Sequence, residues 1–438
     1  MKRIALKKLK EWKERTDKKP LIIHGARQVG KTWLIKEFGK MEYKNVAYIM
    51  FEKNERMKNL FLQDMDISRI LMGLEIETKQ KINPVDTLII FDEIQECPNA
   101  LTSLKYFSEN VPEYNFIAAG SLLGVFLHTG VSFPVGKVEF MDLYPMNFYE
   151  FLFAIGEEKL CALLDKNDFN LISIFKDNFI SYLRMYFYVG GMPEVVLKFS
   201  KNKDFRLART IQNQILESYI QDFSKHIPSS NIGKVTQLWN SIPAQLAKEN
   251  KKFVYKEVQK GANANTYELS LEWLIRCGLV HRIPRVSKPT IPLKAYENNK
   301  AFKLFLSDIG LLSTLSKLDV RTLLEGKALF TEFRGALTEQ FVLQELKVIQ
   351  DMDMDIAYWA NEAPATAEVD FVLQYGSNIV PIEVKSSINL KSKSLKIYQE
   401  KFQPRLSIRS SLADFKKIDN LYDIPLYALG QLLEIMKI

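Results

Sequence analysis

Short apolar runs bounded by polar turns recur through the first third of the chain. Leu21-Ile22-Ile23, Val46-Ala47-Tyr48-Ile49-Met50-Phe51, Thr87-Leu88-Ile89-Ile90-Phe91 and Asn115-Phe116-Ile117-Ala118-Ala119 all have this form. Runs without polar alternation suit strands buried on both faces of a parallel sheet. After the first run the apolar spacing becomes helical, over Trp33-Leu34-Ile35-Lys36-Glu37-Phe38, and Gly39 is expected to stop that helix. Ahead of it, Ala5, Leu9 and Trp12 share one face of an expected amphipathic helix in the polar, lysine-rich segment Met1 to Pro20. Residues 1–143 therefore read as a parallel α/β core.

The period changes further along. Residues 144–227 read mostly helical, with Pro145 to Leu152 and Phe179 to Tyr188 as the clearest stretches and Gly190-Gly191-Met192-Pro193 as a break. They form a candidate helical lid. Residues 228–298 predict three helices and a strand, in winged-helix order. Leu238, Trp239, Ile242 and Leu246 mark the first helix, Tyr255 to Lys260 the second and Thr266 to Cys277 the third, with Gly278 as its stop signal and Leu279 to Ile283 as the strand. In residues 299–438 the pattern alternates: Val369, Phe371 and Leu373 face Ile382 and Val384 across the turn Gly376-Ser377. This is an expected β-hairpin in a further α/β domain.

Chemistry enters at the first strand–helix junction. Gly25-Ala26-Arg27-Gln28-Val29-Gly30-Lys31-Thr32 reads G-x-x-x-x-G-K-T, between a strand and a helix that begins near Trp33. That order is the context of a phosphate-binding loop. Backbone amides and a helix N-terminus converge on phosphate oxygens there. Lys31 is the expected phosphate counter-charge and Thr32 an expected Mg²⁺ ligand. The third apolar run ends in Asp92 and Glu93. Ligands of parallel sheets bind beyond the carboxyl ends of the strands. Asp92 is thus expected beside Thr32, and Glu93 in position to polarise a water. Ser121 follows the fourth run, as a hydroxyl able to sense a γ-phosphate or as a plain helix cap.

A second constellation lies on the hairpin. The two-residue turn sets Asp370 opposite Glu383 and Glu368 opposite Lys385, all on one face. Two carboxylates about 5 Å apart repel unless a cation lies between them, and Mg²⁺ is a suitable hard ion. D-x₁₂-E-x-K is the spacing of the PD-(D/E)xK metal-dependent nucleases, with Glu339 on the expected helix Gly335 to Lys347 as an additional ligand. A solvated Glu–Lys face is the plainer alternative.

Composition narrows the class. The chain has 438 residues, 47% hydrophobic and 26% charged, which is ordinary for a globular protein of about three domains. A net charge of +8 permits an anionic partner. Arg282, Arg285, Lys288 and Lys294 could meet phosphates from the expected wing, whereas Glu268 and Glu272 on the helix before it would repel them. The three cysteines, Cys97, Cys161 and Cys277, argue against a disulfide framework. The four histidines have no metal-ligand spacing. The longest apolar stretch, Phe116 to Leu127, is too short to span a bilayer. A cytoplasmic protein without a membrane partner is expected.

Taken together, several stretches resemble a bacterial and archaeal family of AAA-type P-loop ATPases with a nuclease-like C-terminal domain of unknown function. They are Gly25–Thr32, Leu88–Gln95, Gly120-Ser121, Ser132–Lys137, Tyr188–Pro193, Leu306–Leu311 and Pro381–Lys385. The resemblance implies ATP binding and a restriction-endonuclease-like fold at the end. The Gly-Arg that often follows the third strand in related ATPases is Gly136-Lys137 here, a departure from the arginine-finger pattern. Lys137 and Arg184 are each either a charge-stabilising finger toward a nucleotide or a solvated surface cation. Two functions follow. One is an ATPase that uses ATP and Mg²⁺ and is coupled to nucleic-acid binding or processing, with DNA as partner. The other is a nucleotide-gated switch that binds a protein partner and carries an inactive nuclease-like domain. An oligomer is compatible with either.

Overall fold

The computed structural model describes residues 2–121, 134–248, 251–324, 331–351, 353–361, 367–388 and 390–437. The end of the apolar stretch Phe116 to Leu127, and Ser132-Phe133 of the resemblance, lie outside the described residues. The chain divides into two compact units. One comprises Lys2–Tyr144 with Trp273–Leu279, the other Pro145–Glu272 with Val280–Ile438.

In the first unit, strands β1 (Leu21–His24), β2 (Asn45–Met50), β3 (Thr87–Asp92), β4 (Asn115–Ala119) and β5 (Glu139–Asp142) form one sheet in the order β2-β3-β4-β1-β5. Every neighbouring pair is parallel. The uninterrupted apolar runs have their cause here: β3 and β4 are buried along their whole length. Phe51, Phe61, Phe91 and Phe116 meet edge-on at centroid distances of 5.4–5.7 Å and fill one side of the sheet. The N-terminal helix Ala5–Glu14 buries Leu9 and Trp12, and Trp12 Nε1 donates to Lys19 O at 2.9 Å.

Gly39 does not stop the helix after the phosphate loop. That helix runs from Lys31 to Glu42. A Cβ at position 39 would lie 2.8 Å from Val46 Cγ2. The glycine is there because helix and sheet approach closely, not because the chain turns.

In the second unit, an eight-stranded mixed sheet runs in the order β12-β13-β11-β10-β9-β8-β6-β7. Its strands are β6 (Val280–Val286), β7 (Glu297–Leu306), β8 (Met354–Ala360), β9 (Glu368–Tyr375), β10 (Asn378–Val384), β11 (Ser407–Ser411), β12 (Lys416–Ile418) and β13 (Leu421–Pro425). Gly376 and Ser377 make the two-residue turn, and Ile382 pairs with Phe371 as that turn requires. The strand Leu279 to Ile283, expected to lead into a wing, is β6, and it is part of this sheet: it pairs antiparallel with β7, and its Arg285 and Val286 pair with Tyr358 and Trp359 of β8. The second expected helix of that segment is only the 3₁₀ turn Tyr255–Glu257.

The helices of residues 144–227 share a core with residues from far downstream. The first amides of a helix need acceptors from outside it. Phe148 N, at the start of the helix Phe148–Ala154, donates to Glu345 Oε1 at 2.7 Å, and in the break between two helices Gly191 N donates to Asp308 Oδ2 at 2.6 Å. Gln344 Nε2 reaches the Tyr186 hydroxyl at 2.8 Å. These side chains are buried and polar, and each replaces water for a backbone or hydroxyl group that cannot reach solvent.

Burial raises the Glu345 carboxyl to about 8; the Phe148 amide opposes this and Glu150 adds to it. Burial likewise raises Asp308 to about 6. Both groups bind protons more tightly folded than unfolded, so their stabilisation is complete at acid pH and is lost as pH rises through the folded values. The wild-type melting temperature should therefore fall as pH rises from about 6 to about 8. Glu345→Gln keeps an acceptor for Phe148 and removes the titration, so it should flatten that fall. Calorimetry across this range checks it; an unchanged slope in the variant would count against the assignment.

Candidate nucleotide site and the C-terminal carboxylate cluster

The phosphate loop links β1 to the helix Lys31–Glu42. Gly25 has φ +148°, and a Cβ there would stand 2.2 Å from Leu143 O, so no larger residue fits. Gly30 caps the helix in the left-handed region. From the N-terminal segment, Arg3 Nη1 donates to Val29 O at 3.0 Å and Arg3 Nη2 to Tyr144 O at 2.7 Å, which ties the loop to the end of the unit. At the other side, His24 Nδ1 lies 3.1 Å from Asp142 Oδ1 and His24 Nε2 lies 2.9 Å from Arg276 O. Sequence reading missed both anchors, because most of their partners are more than 100 residues away.

Lys31 is buried, and its Nζ donates to Gly25 O at 2.8 Å and Ala26 O at 2.9 Å. Burial lowers its pKa to about 8, against the pull of Glu93 and Asp92. Thr32 Oγ1 donates to Asp92 Oδ2 at 2.7 Å. The Tyr48 hydroxyl donates to the same oxygen at 2.9 Å, and Lys36 sits 3.5 Å above the Tyr48 ring. Asp92 is thus a buried carboxylate held at the carboxyl end of β3, facing the hydroxyl at the start of the phosphate-loop helix. Glu93 follows in a left-handed conformation, φ +49°. Gln95 Nε2 donates to Glu93 Oε2 at 2.5 Å, and Ser121 Oγ approaches the same oxygen at 3.5 Å. Lys31, Thr32, Asp92, Glu93 and Ser121 therefore lie in one neighbourhood. Tyr48 and Gln95 join them without having been singled out; Gln95 carried a signal, two positions after the acidic pair.

Arg27 and Gln28 lie between the loop glycines, Gln28 with φ +67°. Trp33 is the third residue of the helix that follows. Lys137 is engaged with Glu109 at 3.0 Å, and Arg184 is part-buried on the helix Lys176–Val189.

In the second unit, the hairpin acids meet cations that the sequence reading did not foresee. Lys303 of β7 is fully buried. Its Nζ lies 2.5 Å from Glu368 Oε1, 3.3 Å from Glu339 Oε2 and 3.9 Å from Asp370 Oδ1. The other Glu339 oxygen takes Lys251. Asp370 Oδ2 accepts from Val384 N at 2.8 Å, and Lys385 Nζ pairs with Glu383 Oε1 at 2.7 Å. The expected Glu368–Lys385 pair is not formed. Lys385 N binds Ser410 O as the chain passes to β11, and Glu368 turns to the buried ammonium instead.

Burial alone would lower Lys303, but Glu339, Glu368 and Asp370 outweigh it and raise the pKa. Burial opposes ionisation of Glu339 too, yet Lys251 and Lys303 hold it down at about 2. Burial, then Glu339 and Glu383, push Asp370 well above the carboxylate range. Among the described residues, no group of three or more His, Cys, Asp or Glu side chains is arranged to hold a metal ion.

The wing residues are engaged as well. Arg282 Nη1 bonds Glu268 Oε1 at 2.6 Å and lies 3.8 Å from Glu272 Oε1, with its guanidinium 4.1 Å from the Phe302 ring centroid. Glu268 and Glu272 are therefore not bare negative charges on a recognition helix. No described helix is long and apolar enough to cross a membrane.

No curated protein matches the sequence. Residues 180–322 match a domain of unknown function (DUF8612), and residues 334–429 match another (DUF4143). Among solved structures, the Walker-type ATPase PABY2304 of Pyrococcus abyssi is similar at 15% identity and TM-score 0.45, over 71% of this chain and 94% of its own. The Aeropyrum pernix ORC1 protein in complex with DNA is similar at 11% identity and TM-score 0.27, over 72% and 91%. These are distant likenesses, and no function is taken from them. Residues 17–152, which hold the phosphate loop, Asp92, Glu93 and Ser121, match the AAA domain family.

Proposed function

We propose that the chain binds ATP with Mg²⁺ at the phosphate loop and hydrolyses it, and that it acts as a nucleotide-gated switch toward a protein partner. The observation that carries the ATPase part is the buried contact of Thr32 with Asp92 at 2.7 Å, beside Lys31 and a Glu93 oriented by Gln95. Gly25 to Trp33 would wrap the phosphates. Thr32 and Asp92 would hold Mg²⁺, which when bound neutralises charge on the β- and γ-phosphate oxygens. Lys31 supplies a fixed positive charge to the same oxygens. Glu93 accepts the proton of the attacking water, and its hydrogen bond from Gln95 holds the carboxylate in one rotamer. Ser121, near Glu93, is placed to register the γ-phosphate.

Two observations favour a protein partner over a nucleic acid. Arg282 of the wing is neutralised by Glu268. A cavity of about 870 Å³ in the second unit carries both signs of charge, with Arg282, Lys294 and Lys300 near Glu297 and Asp355. A polyanion is better met by a uniformly positive surface. Nucleic-acid coupling through winged-helix and nuclease-like parts of that unit is the second reading. The net charge of +8 and the D-x₁₂-E-x-K spacing support it.

Three measurements follow. With Lys31 near 8, the amine loses its proton above that pH, and the phosphates need the ammonium. ATP affinity should fall about tenfold per pH unit above 8. Lys31→Arg, which stays charged, should flatten the profile, and Lys31→Ala should abolish binding. A flat wild-type profile in calorimetric titration would refute the role of this lysine. Glu93→Gln should still bind ATP but turn over at least about tenfold more slowly, and wild-type turnover in that variant would remove Glu93 from catalysis. Steady-state ATPase with duplex or single-stranded DNA separates the two readings. The switch reading expects turnover indifferent to DNA, whereas stimulation that fades steeply with salt would move the conclusion to nucleic acid.

A further inference from the structure

We propose that the ammonium of Lys303 is the resident cation of the C-terminal carboxylate cluster and that it excludes a divalent metal from it. The PD-(D/E)xK spacing implies a metal on Asp370, Glu383 and Glu339, and the side chains do not fit one. This concerns the second unit alone and rests on no part of the ATPase reading.

A hard divalent ion needs several oxygens aimed at one point, and Mg²⁺ demands six in near-octahedral order. Here the oxygens are already committed. Glu339 gives one oxygen to Lys251 and the other to Lys303. Glu368 Oε1 and Asp370 Oδ1 face the same Lys303 Nζ. Asp370 Oδ2 takes the Val384 amide, and Glu383 Oε1 takes Lys385. Glu383 Oε2 is buried without a partner, and one oxygen does not make a divalent site.

Lys303 itself cannot move aside. It is fully buried on β7, with its Nζ 5.0 Å from the ring centroid of the buried Tyr358. A charged amine there is stable only because Glu339, Glu368 and Asp370 surround it. The dependence is mutual: Glu339 is buried, Glu368 and Asp370 are part-buried, and acids this close need a cation or a proton between them. The chain supplies it covalently, at a concentration that no chelator changes. A metal entering the cluster would either leave Lys303 buried without a counter-ion or bring two cations into contact.

The test uses the full-length wild type without nucleotide, with Mn²⁺ as probe. Free Mn²⁺ is followed by electron paramagnetic resonance, and stability by thermal melting. The expected result is no bound Mn²⁺ that is sensitive to Asp370→Asn, and no Mn²⁺-dependent shift in melting. Mn²⁺ at the nucleotide site would survive Asp370→Asn, so the two sites are told apart. Lys303→Met removes the charge and keeps most of the volume. It should melt several degrees lower and recover with millimolar Mn²⁺, and the recovery should vanish when Glu339→Gln is added. A Lys303→Met protein that folds only with Mn²⁺ would support the proposal equally. Wild-type Mn²⁺ binding lost in Asp370→Asn would overturn it, as would a folded Lys303→Met protein indifferent to Mn²⁺. Should Lys303→Met fail to fold under all conditions, the wild-type binding measurement decides alone.

Discussion

The contact between Thr32 and Asp92 depends on strand order more than on either side chain. β4 lies between β1 and β3, and its Ala119 is level with Ile23 on one side and Asp92 on the other. Parallel strands in register deliver all their carboxyl ends to one edge. The phosphate loop leaves that edge from β1, the acidic pair from β3 and Ser121 from just beyond β4. Had any one strand been antiparallel, its chemistry would lie at the opposite edge of the sheet. The buried runs of apolar residues that make the strands parallel and doubly covered are thus also what assembles the site. A buried carboxylate at this position costs desolvation, and the hydroxyls of Thr32 and Tyr48 offset part of it.

The second unit solves the same problem with ions instead of hydroxyls. Sheet, helix Thr331–Ile349 and the segment at Lys251 bring four acids and three lysines into one region. Lys303, Lys251 and Lys385 each take a carboxylate. Buried ion pairs add little net stability, because desolvation consumes most of the attraction. Their effect is specificity. A strand slip of one residue would turn Lys303 to the opposite face and leave three acids unmatched. The network therefore helps to fix the register of β7 on its neighbour β6.

Legibility in the sequence followed the range of the interactions involved. The strand–loop–helix order around Gly25–Thr32 is local, and so is the two-residue turn Gly376-Ser377, which dictates which residues of β9 and β10 stand opposite one another. Gly39 misled because a glycine needed for close packing on Val46 has the same local signature as one that ends a helix. The Glu368–Lys385 pairing misled for another reason. Backbone register fixes which Cβ atoms are neighbours, but long charged side chains choose partners across several ångströms. Glu368 had a nearer and more deeply buried cation in Lys303, some 65 residues upstream. β5 was passed over because it is short and alternates intermediate with exposed positions.

One local signal would have exposed the lysine. Ala301-Phe302-Lys303-Leu304-Phe305-Leu306 is an apolar run with a single charge inside it. An unpaired lysine in such a strand would lose its proton or break the strand. Its survival there requires acids converging on it from elsewhere in the chain, and the hairpin face of Asp370, Glu383 and Glu368 is one that offers them. The same reasoning turns an apparent metal motif into a question about charge balance. A D-x₁₂-E-x-K spacing says where the carboxylates stand, whereas the count of cations already buried beside them decides whether an ion from solution has any work left to do.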